Sequence, residues 1–320
     1  MAQIVFLVAL LCTIPQLNRK YPFRFYTFVI LFLFMALRYD YGNDYMTYYK
    51  IHTIINSEYN LWRPYEVLFH NLNLVIPNYY LFIAVTSLFY LIVIGYLIKK
   101  NLKIQQYWFA VLILIINPYL FLVQLSTIRQ TIAICFFIIA INYGIKRKPI
   151  AYAVFVLLAT GFHSSAILLL PVYFLLTKKP FNIKSILVAV GLLLLLLFTP
   201  LFDVIAIRLL EHLPDHYYNH YNPGLQKGFI FIMISSFYFL LVLLNLSNLK
   251  GKEIIYGKLS LIATTLSILT IKVTMISRIG MYFDLFMIIT IPHIFSRMNT
   301  RAYKQLLFIV LIGIYLMRHY

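Results

Sequence analysis

Charged residues are scarce in this sequence, and acidic residues are the scarcest. Of 320 residues, 11% are charged and only nine are Asp or Glu, whereas 62% are hydrophobic. A soluble domain has about a quarter of its residues charged. A chain of this composition has too few polar residues to cover the core that would bury its apolar surface. The composition therefore excludes an ordinary water-soluble globule and predicts a membrane protein.

Cysteine is nearly absent, and the common nucleotide and metal motifs are missing. Cys12 and Cys135 both lie inside apolar runs, which argues against a disulfide framework and a thiolate metal site. The sequence has no G-x-x-x-x-G-K-[ST], G-x-G-x-x-G, H-E-x-x-H or G-x-S-x-G string, and no D-x-D pair. We therefore predict no cofactor, no use of ATP and no catalytic metal.

Long apolar runs dominate what is present. A bilayer core of about 30 Å needs roughly 20 helical residues, and laying this length along the chain finds about ten spans. Their expected extents are 3–18, 24–38, 79–98, 106–125, 128–145, 183–200, 228–246, 258–276, 279–296 and 303–319. We expect an all-α polytopic membrane protein whose residues 1–320 form a single integral membrane domain. The first run lacks a basic leader, so we interpret it as a retained span.

Lys and Arg outnumber the acids by 27 to 9, which gives a net charge of +18. In a soluble protein this charge suggests nucleic-acid binding, but here the basic residues form clusters in every second connection between apolar runs. Such clusters mark cytoplasmic loops. We therefore predict no nucleic-acid partner and a multi-pass protein of the cytoplasmic (inner) membrane. The two large loops, 38–78 and 201–228, then face outside and hold most of the acids.

The second large loop contains three histidines at four-residue spacing, His212, His216 and His220. Pro214 interrupts the helix that a zinc site on these residues would need. We interpret this loop as a surface for carbohydrate contact.

One apolar segment, residues 149–177, does not fit a single crossing because both of its flanks are basic. Two arms of about 13 residues reach roughly 20 Å each, which favours a re-entrant hairpin with His163 deep at its tip. Two short, tilted spans with His163 in an outer turn are the alternative. Both interpretations keep the flanks on the cytoplasmic side.

The string RYDYGNDYMTYY ends the second predicted span. Arg38 and Asp40 emerge together at the membrane surface, and Asp40 and Asp44 share a face if the segment is helical. An arginine fork suits phosphate oxygens, and a carboxylate can accept a proton from a sugar hydroxyl. The tyrosines, Tyr45 among them, are suited either to stacking on sugar rings or to an aromatic belt at the headgroups.

Three more polar positions interrupt apolar runs. Arg129 opens the fifth predicted span. A charged side chain costs about 2.5–3.5 kcal/mol at mid-membrane and less near the edge, so Arg129 needs a partner or an anionic ligand. The alternative is that its side chain extends to the membrane surface and keeps the guanidinium in water. His163 is either a neutral packing residue or a site residue. Arg278 opens the ninth span and is poorly spaced to pair with Asp284, for which Lys272 is the better partner.

These motifs resemble those of the EpsG family and, more broadly, of Wzy-type polysaccharide polymerases. The similarity rests on RYDYGNDYMTYY, STIRQTIA, ATGFHSSAILLLP and SRIGMYF, and it covers roughly residues 30–290. It implies polymerisation, at the outer face, of oligosaccharide repeat units carried on a polyprenyl diphosphate, for exopolysaccharide, capsule or O-antigen. The implied partners are this lipid-linked oligosaccharide, membrane lipid, a flippase and a chain-length regulator.

The implied reaction assigns roles to the candidate residues. Polymerisation requires cations for the diphosphate leaving group and a base for the acceptor hydroxyl. We expect Arg129 and Arg278 to bind the diphosphate, with Arg38 assisting. Asp40 or Asp44 is the expected base, with His163 as the alternative base or a proton relay. Tyr45 is a further substrate-binding candidate.

Two other functions use the same residues. A lipid-linked sugar flippase or secondary transporter would use the charges as a translocation path, and it predicts an inverted repeat, which the sequence does not show. A membrane O-acyltransferase would use His163 as its general base and take its acyl donor from the cytoplasmic side, where only short basic loops are expected.

Overall fold

The computed structural model describes residues 22–57, 66–117, 120–197, 199–210, 229–270, 276–298 and 300–319. These residues form helices and connections, with no strand among them. The helical class predicted from the sequence is therefore confirmed. The first predicted span, the histidine loop around 212–220 and Lys272 lie outside the described residues.

The chain divides into two compact units. The first contains Met1–Leu176 and Ile291–Tyr320. Its helices before residue 176 are α1 (Pro22–Ala36), α2 (Tyr45–Ile55), α3 (Val67–Val75), α4 (Tyr79–Asn101), α5 (Tyr107–Ile116), α6 (Leu122–Ser126), α7 (Ile128–Ile145), α8 (Pro149–Phe162) and the 3₁₀ helix Ser164–Leu175.

The second unit contains Thr177–Thr290. Its helices are α9 (Ile183–Leu197), α10 (Pro200–Leu210), α11 (Phe229–Asn245), α12 (Lys252–Leu269) and α13 (Ile276–Asp284). The division between the units falls within α14 (Met287–Arg297), and α15 (Arg301–His319) belongs to the first unit. Within the second unit, α12 packs against α11 and α13.

Two described helices, α4 and α7, are long and apolar enough to cross a membrane. The pair α13 and α14 meets the same measure together, but it is bent by 52° at its break. Other apolar helices have 10–17 residues within the described ranges. The apolar helices support a membrane protein, while the number of ten spans stays a prediction.

Helix α4 is the longest described helix, and its sequence explains both ends. The Asn78 side chain accepts a hydrogen bond from the Leu81 amide at 3.0 Å and caps the first turn. Lys99 and Lys100 lie in the last turn, where cations favour the helix dipole. α4 packs against α1 and α7, and the Tyr90 hydroxyl donates to the Leu120 carbonyl at 2.7 Å. These contacts form the core of the first unit.

Residues 149–177 form a helical hairpin that turns at His163. Its arms, α8 and the 3₁₀ helix, are about 21 Å and 24 Å long from their residue counts, which is less than a bilayer core. The Tyr152 hydroxyl joins the arms by donating to the Leu169 carbonyl at 2.6 Å. The structure thus shows a hairpin with short arms, and its depth in the membrane stays a prediction.

Two predicted spans are not continuous helices. Within 106–125, α5 ends at Ile116 and α6 begins at Leu122. Asn117 is extended, with φ −87° and ψ 108°, because a residue before proline is disfavoured in the helical region. Within 279–296, α13 ends at Asp284 and α14 begins at Met287. The backbone at this break forms hydrogen bonds of the 3₁₀ type, between residues three apart, such as Ile288 N to Leu285 O.

Candidate functional site

The segment between α1 and α2 is a turn. Asp40 has φ +44° and Gly42 has φ +100°, a region that favours glycine. A Cβ on Gly42 would collide with the Ser126 side chain, so this turn passes directly over α6. Asp40 and Asp44 therefore do not share a helical face, contrary to the expectation for a helical segment. Both are exposed, and the side chain of Asp44, the residue before α2, makes no capping hydrogen bond.

Arg38 follows α1 and is 8% exposed. Its Nη1 donates to the Met35 carbonyl and, at 3.1 Å, to Ser87 Oγ of α4. Its Nε is buried and has no hydrogen-bond partner, and neither of the ion pairs found among the described residues includes Arg38. A buried cation with an unused donor is suited to an anionic ligand.

Tyr45 lies beside Arg38, at the start of α2. It is 2% exposed, and its hydroxyl is buried without a partner. Its ring packs edge-on against Tyr79 at 5.6 Å between centroids, and the Tyr79 hydroxyl donates to the Tyr45 carbonyl at 3.1 Å. The two residues that sequence reasoning assigned to substrate binding here, Arg38 and Tyr45, thus lie together and both have unused polar atoms.

A second cluster joins three distant segments of the first unit. Glu66 directly precedes α3, Arg129 is the second residue of α7, and His163 is the turn of the hairpin. Arg129 Nη1 lies 2.8 Å from Glu66 Oε2, and His163 Nδ1 lies 2.8 Å from Glu66 Oε1. The Ser164 amide also donates to Oε1 at 3.2 Å. Both carboxylate oxygens are therefore occupied by donors.

The electrostatics of this cluster determine its proton positions. Burial by itself raises the pKa of Glu66, but the hydrogen bond from His163 and the charge of Arg129 outweigh it, so the pKa lies below its ordinary value. A carboxylate only accepts hydrogen bonds, which places a proton on His163 Nδ1. His163 Nε2 is buried and has no partner. In the neutral ring, this nitrogen is the one that can accept a proton.

Aromatic side chains line the other side of Arg129. Its guanidinium carbon lies 5.6 Å from the Tyr48 ring centroid and 5.8 Å from that of Phe69, and its Nε lies 3.4 Å from the Tyr48 hydroxyl. Such contacts add cation–π stabilisation. Tyr48 and Tyr45 are three residues apart on α2, which makes them neighbours on one helix face. α2 thus contributes Tyr45 beside Arg38 and Tyr48 beside the cluster of Glu66, Arg129 and His163.

Arg278 lies in the second unit, in α13, and is exposed. Asp284 ends the same helix and is half-buried. The structure brings Arg129 and His163 together and places Arg38 one helix away. The contribution of Arg278 to the same site stays a prediction.

Glu66 is the residue that sequence reasoning missed. In the sequence it is one of several acids in the loop 38–78. The cost of a charge at Arg129 indicated that a partner was required, but nothing in the linear sequence distinguishes Glu66 from its acidic neighbours. Within the described ranges, no group of three His, Cys, Asp or Glu side chains is arranged to hold a metal ion.

The fold and these clusters define a helical membrane protein with a buried charged site. The family model of the EpsG family matches residues 22–320, so the chain belongs to the EpsG family. Members of this family are similar to Wzy-type polymerases, which supports a polymerase-like role in polysaccharide biosynthesis. Searches of curated proteins and of solved structures gave no significant match.

Proposed function

We propose that this protein is a metal-independent glycosyltransferase that joins oligosaccharide repeat units carried on polyprenyl diphosphate. The reaction would occur at the outer face of the cytoplasmic membrane. Family membership supports a polymerase-like role. The observation that carries the specific proposal is the hydrogen-bonded pair of Glu66 and His163, with the unpartnered Nε2 of His163 beside it.

In the proposed step, His163 Nε2 removes the proton of the acceptor hydroxyl. The hydroxyl oxygen attacks the anomeric carbon of the donor, and the bond from that carbon to the diphosphate oxygen breaks, with its electron pair leaving on the diphosphate. Glu66 orients the imidazole through Nδ1 and stabilises the imidazolium that forms. A positioned general base contributes about 10²–10⁴-fold in rate.

The described contacts favour Arg38 as the main cation for the diphosphate. Arg129 is already paired with Glu66 at 2.8 Å, so much of its charge is compensated. Arg38 is buried, and both its Nε and the Tyr45 hydroxyl are buried without a hydrogen-bond partner. This assignment changes the emphasis of the sequence-based hypothesis, which gave Arg129 and Arg278 the leading roles. Asp40 and Asp44 are exposed, which makes them less suited than His163 to act as the base.

The test is surface polysaccharide length in cells that carry His163→Gln. We expect long polymer to disappear and single lipid-linked repeats to accumulate on the outer side, with normal protein abundance in the membrane. His70→Gln is the matched control, since the His70 amide donates to the Glu66 carbonyl at 3.1 Å whereas its imidazole takes no part in the ion pairs of Glu66. Normal polymer length in His163→Gln would show that His163 is not the base.

The same experiment separates the rival functions. A flippase defect would trap lipid-linked repeats on the inner side of the membrane. An acyltransferase defect would leave polymer length normal and remove acyl groups from the product. Sidedness and acyl content of the accumulated material are therefore measured together with length.

A further inference from the structure

A groove in the first unit lies between α1, α4 and α5, and its lining residues are separate from both site clusters. Its volume is about 540 Å³, within the range of about 300–1,000 Å³ that is typical of ligand pockets. Each of the three helices contributes apolar side chains to its wall. They include Phe28, Leu31, Leu91, Ile94, Val111 and Leu114.

Gly95 opens this groove. It lies among the lining residues of α4, and a Cβ placed on it would meet no atom within 4 Å. Glycine costs helix stability relative to other residues, and here no neighbouring helix packs against the bare backbone. A larger side chain at position 95 would therefore project into open space.

One end of the groove is polar and carries a cation. Thr27, Lys99 and Tyr107 line this end, and the Tyr107 hydroxyl donates to the Lys99 carbonyl at 3.2 Å. Among the described residues, the Lys99 ammonium has no hydrogen-bond or ion-pair partner. The next residue, Lys100, is by contrast held by the Tyr96 hydroxyl at 2.8 Å and by Asn142. Lys99 is therefore available to an anion at the groove end.

The length of the groove matches one leaflet. From Leu91 to Lys99, α4 rises about 12 Å, and half of a bilayer core is about 15 Å. Tyr79, which packs beside Arg38 through Tyr45, lies about 30 Å from Lys99 along the same helix. A lipid with its phosphate at Lys99 is therefore not the donor lipid with its diphosphate at Arg38.

We propose that this groove binds an acyl chain of an anionic phospholipid, with the phosphate on Lys99. Basic pockets between membrane helices on the cytoplasmic side bind anionic lipid headgroups. The basic cluster of Lys99, Lys100 and Lys103 predicts that this end faces the cytoplasm. The site is thus a structural lipid site in the inner leaflet, and it does not depend on the proposed reaction.

The charge is tested by binding of phosphatidylglycerol and phosphatidylcholine to the full-length protein, measured by native mass spectrometry from nanodiscs of each lipid. We expect the wild type to retain phosphatidylglycerol preferentially. Lys99→Gln should reduce this preference about fivefold, since a lysine near an anionic surface contributes that much. Lys50→Gln, which removes an exposed lysine outside the groove and outside the basic clusters, should leave it unchanged. Equal retention of both lipids by the wild type would overturn the proposal.

The cavity is tested by Gly95→Leu, which places a large side chain in the groove at a position whose Cβ meets no atom within 4 Å. We expect bound lipid to be lost at unchanged abundance, because leucine favours helix more than glycine does. Gly191→Leu is the matched control, since a Cβ on Gly191 in α9 also meets no atom within 4 Å. Unchanged lipid retention in Gly95→Leu would overturn the proposal. The proposal would also be overturned if the wild type retained no lipid and had a lower melting temperature than Gly95→Leu. That result would show that the groove holds no lipid and that a leucine at position 95 only improves the packing of the protein.

Discussion

At the residue scale, Glu66 explains how charges are tolerated in an apolar chain. One carboxylate receives donors from Arg129, His163 and the Ser164 amide. Glu66 is 7% exposed, so removing its donors would leave a buried carboxylate without compensation, which is costly. The same arrangement leaves His163 Nε2 without a partner, so satisfying Glu66 also prepares a nitrogen that can accept a proton.

Substitution of Arg38 and of Arg129 should change different kinetic constants. Arg38→Gln should raise KM for the lipid-linked donor about tenfold or more, since a hydrogen bond to a charged group is worth about 1.5–3 kcal/mol. Arg129→Gln should mainly lower kcat, because Glu66 and His163 lose their geometry. Steady-state kinetics of polymerisation with purified protein distinguishes these results. Equal effects of both variants on KM would place the diphosphate at both arginines.

Acid should weaken the Glu66 cluster. The pKa of Glu66 in the folded protein lies below its ordinary value of 4.5, so its stabilisation is complete above pH 4.5 and is lost as the pH falls towards the folded value. Glu66→Gln should cost about 1–3 kcal/mol at pH 7 and show a smaller loss of stability on acidification. Thermal melts in detergent between pH 7 and pH 3 measure both. Parallel pH profiles of the two proteins would contradict this.

At the element scale, close packing between α7 and the 149–177 hairpin holds His163 in place. Gly144 near the end of α7 faces Leu176 and Tyr152, and a Cβ there would collide with the Leu176 side chain and lie only 3.0 Å from the Tyr152 ring. Small residues allow membrane helices to approach closely. The hairpin is therefore positioned by a glycine far from His163 in sequence.

Gly144→Ala should loosen the hairpin. We expect a loss of about 1–3 kcal/mol from overpacking, seen as a lower melting temperature in detergent. Gly95→Ala is the control, because its Cβ has no neighbour within 4 Å and alanine favours helix. A melting temperature of Gly144→Ala at or above that of Gly95→Ala would show that the hairpin is not packed this closely.

At the scale of the whole molecule, the basic clusters predict sidedness. Lys50 lies in the loop 38–78 that we predict to face outside, Lys148 lies in a basic turn that we predict to face the cytoplasm, and both are exposed. With Cys12 and Cys135 replaced, Lys50→Cys should react with a membrane-impermeant maleimide in intact cells. Lys148→Cys should react only after permeabilisation. Labelling of both, or the opposite pattern, would reverse or reject the orientation.

The sequence alone determined the membrane class, the helical fold and the family, because composition, apolar run length and short motifs are local properties. It also marked Arg38, Arg129 and His163, since a polar group in an apolar run is conspicuous. Only the tertiary structure identified Glu66 as the shared partner, because ion pairing depends on which distant segments meet. It also showed that Asp40 and Asp44 are exposed on a turn, where a positive φ at Gly42 and contact with Ser126 override helical spacing.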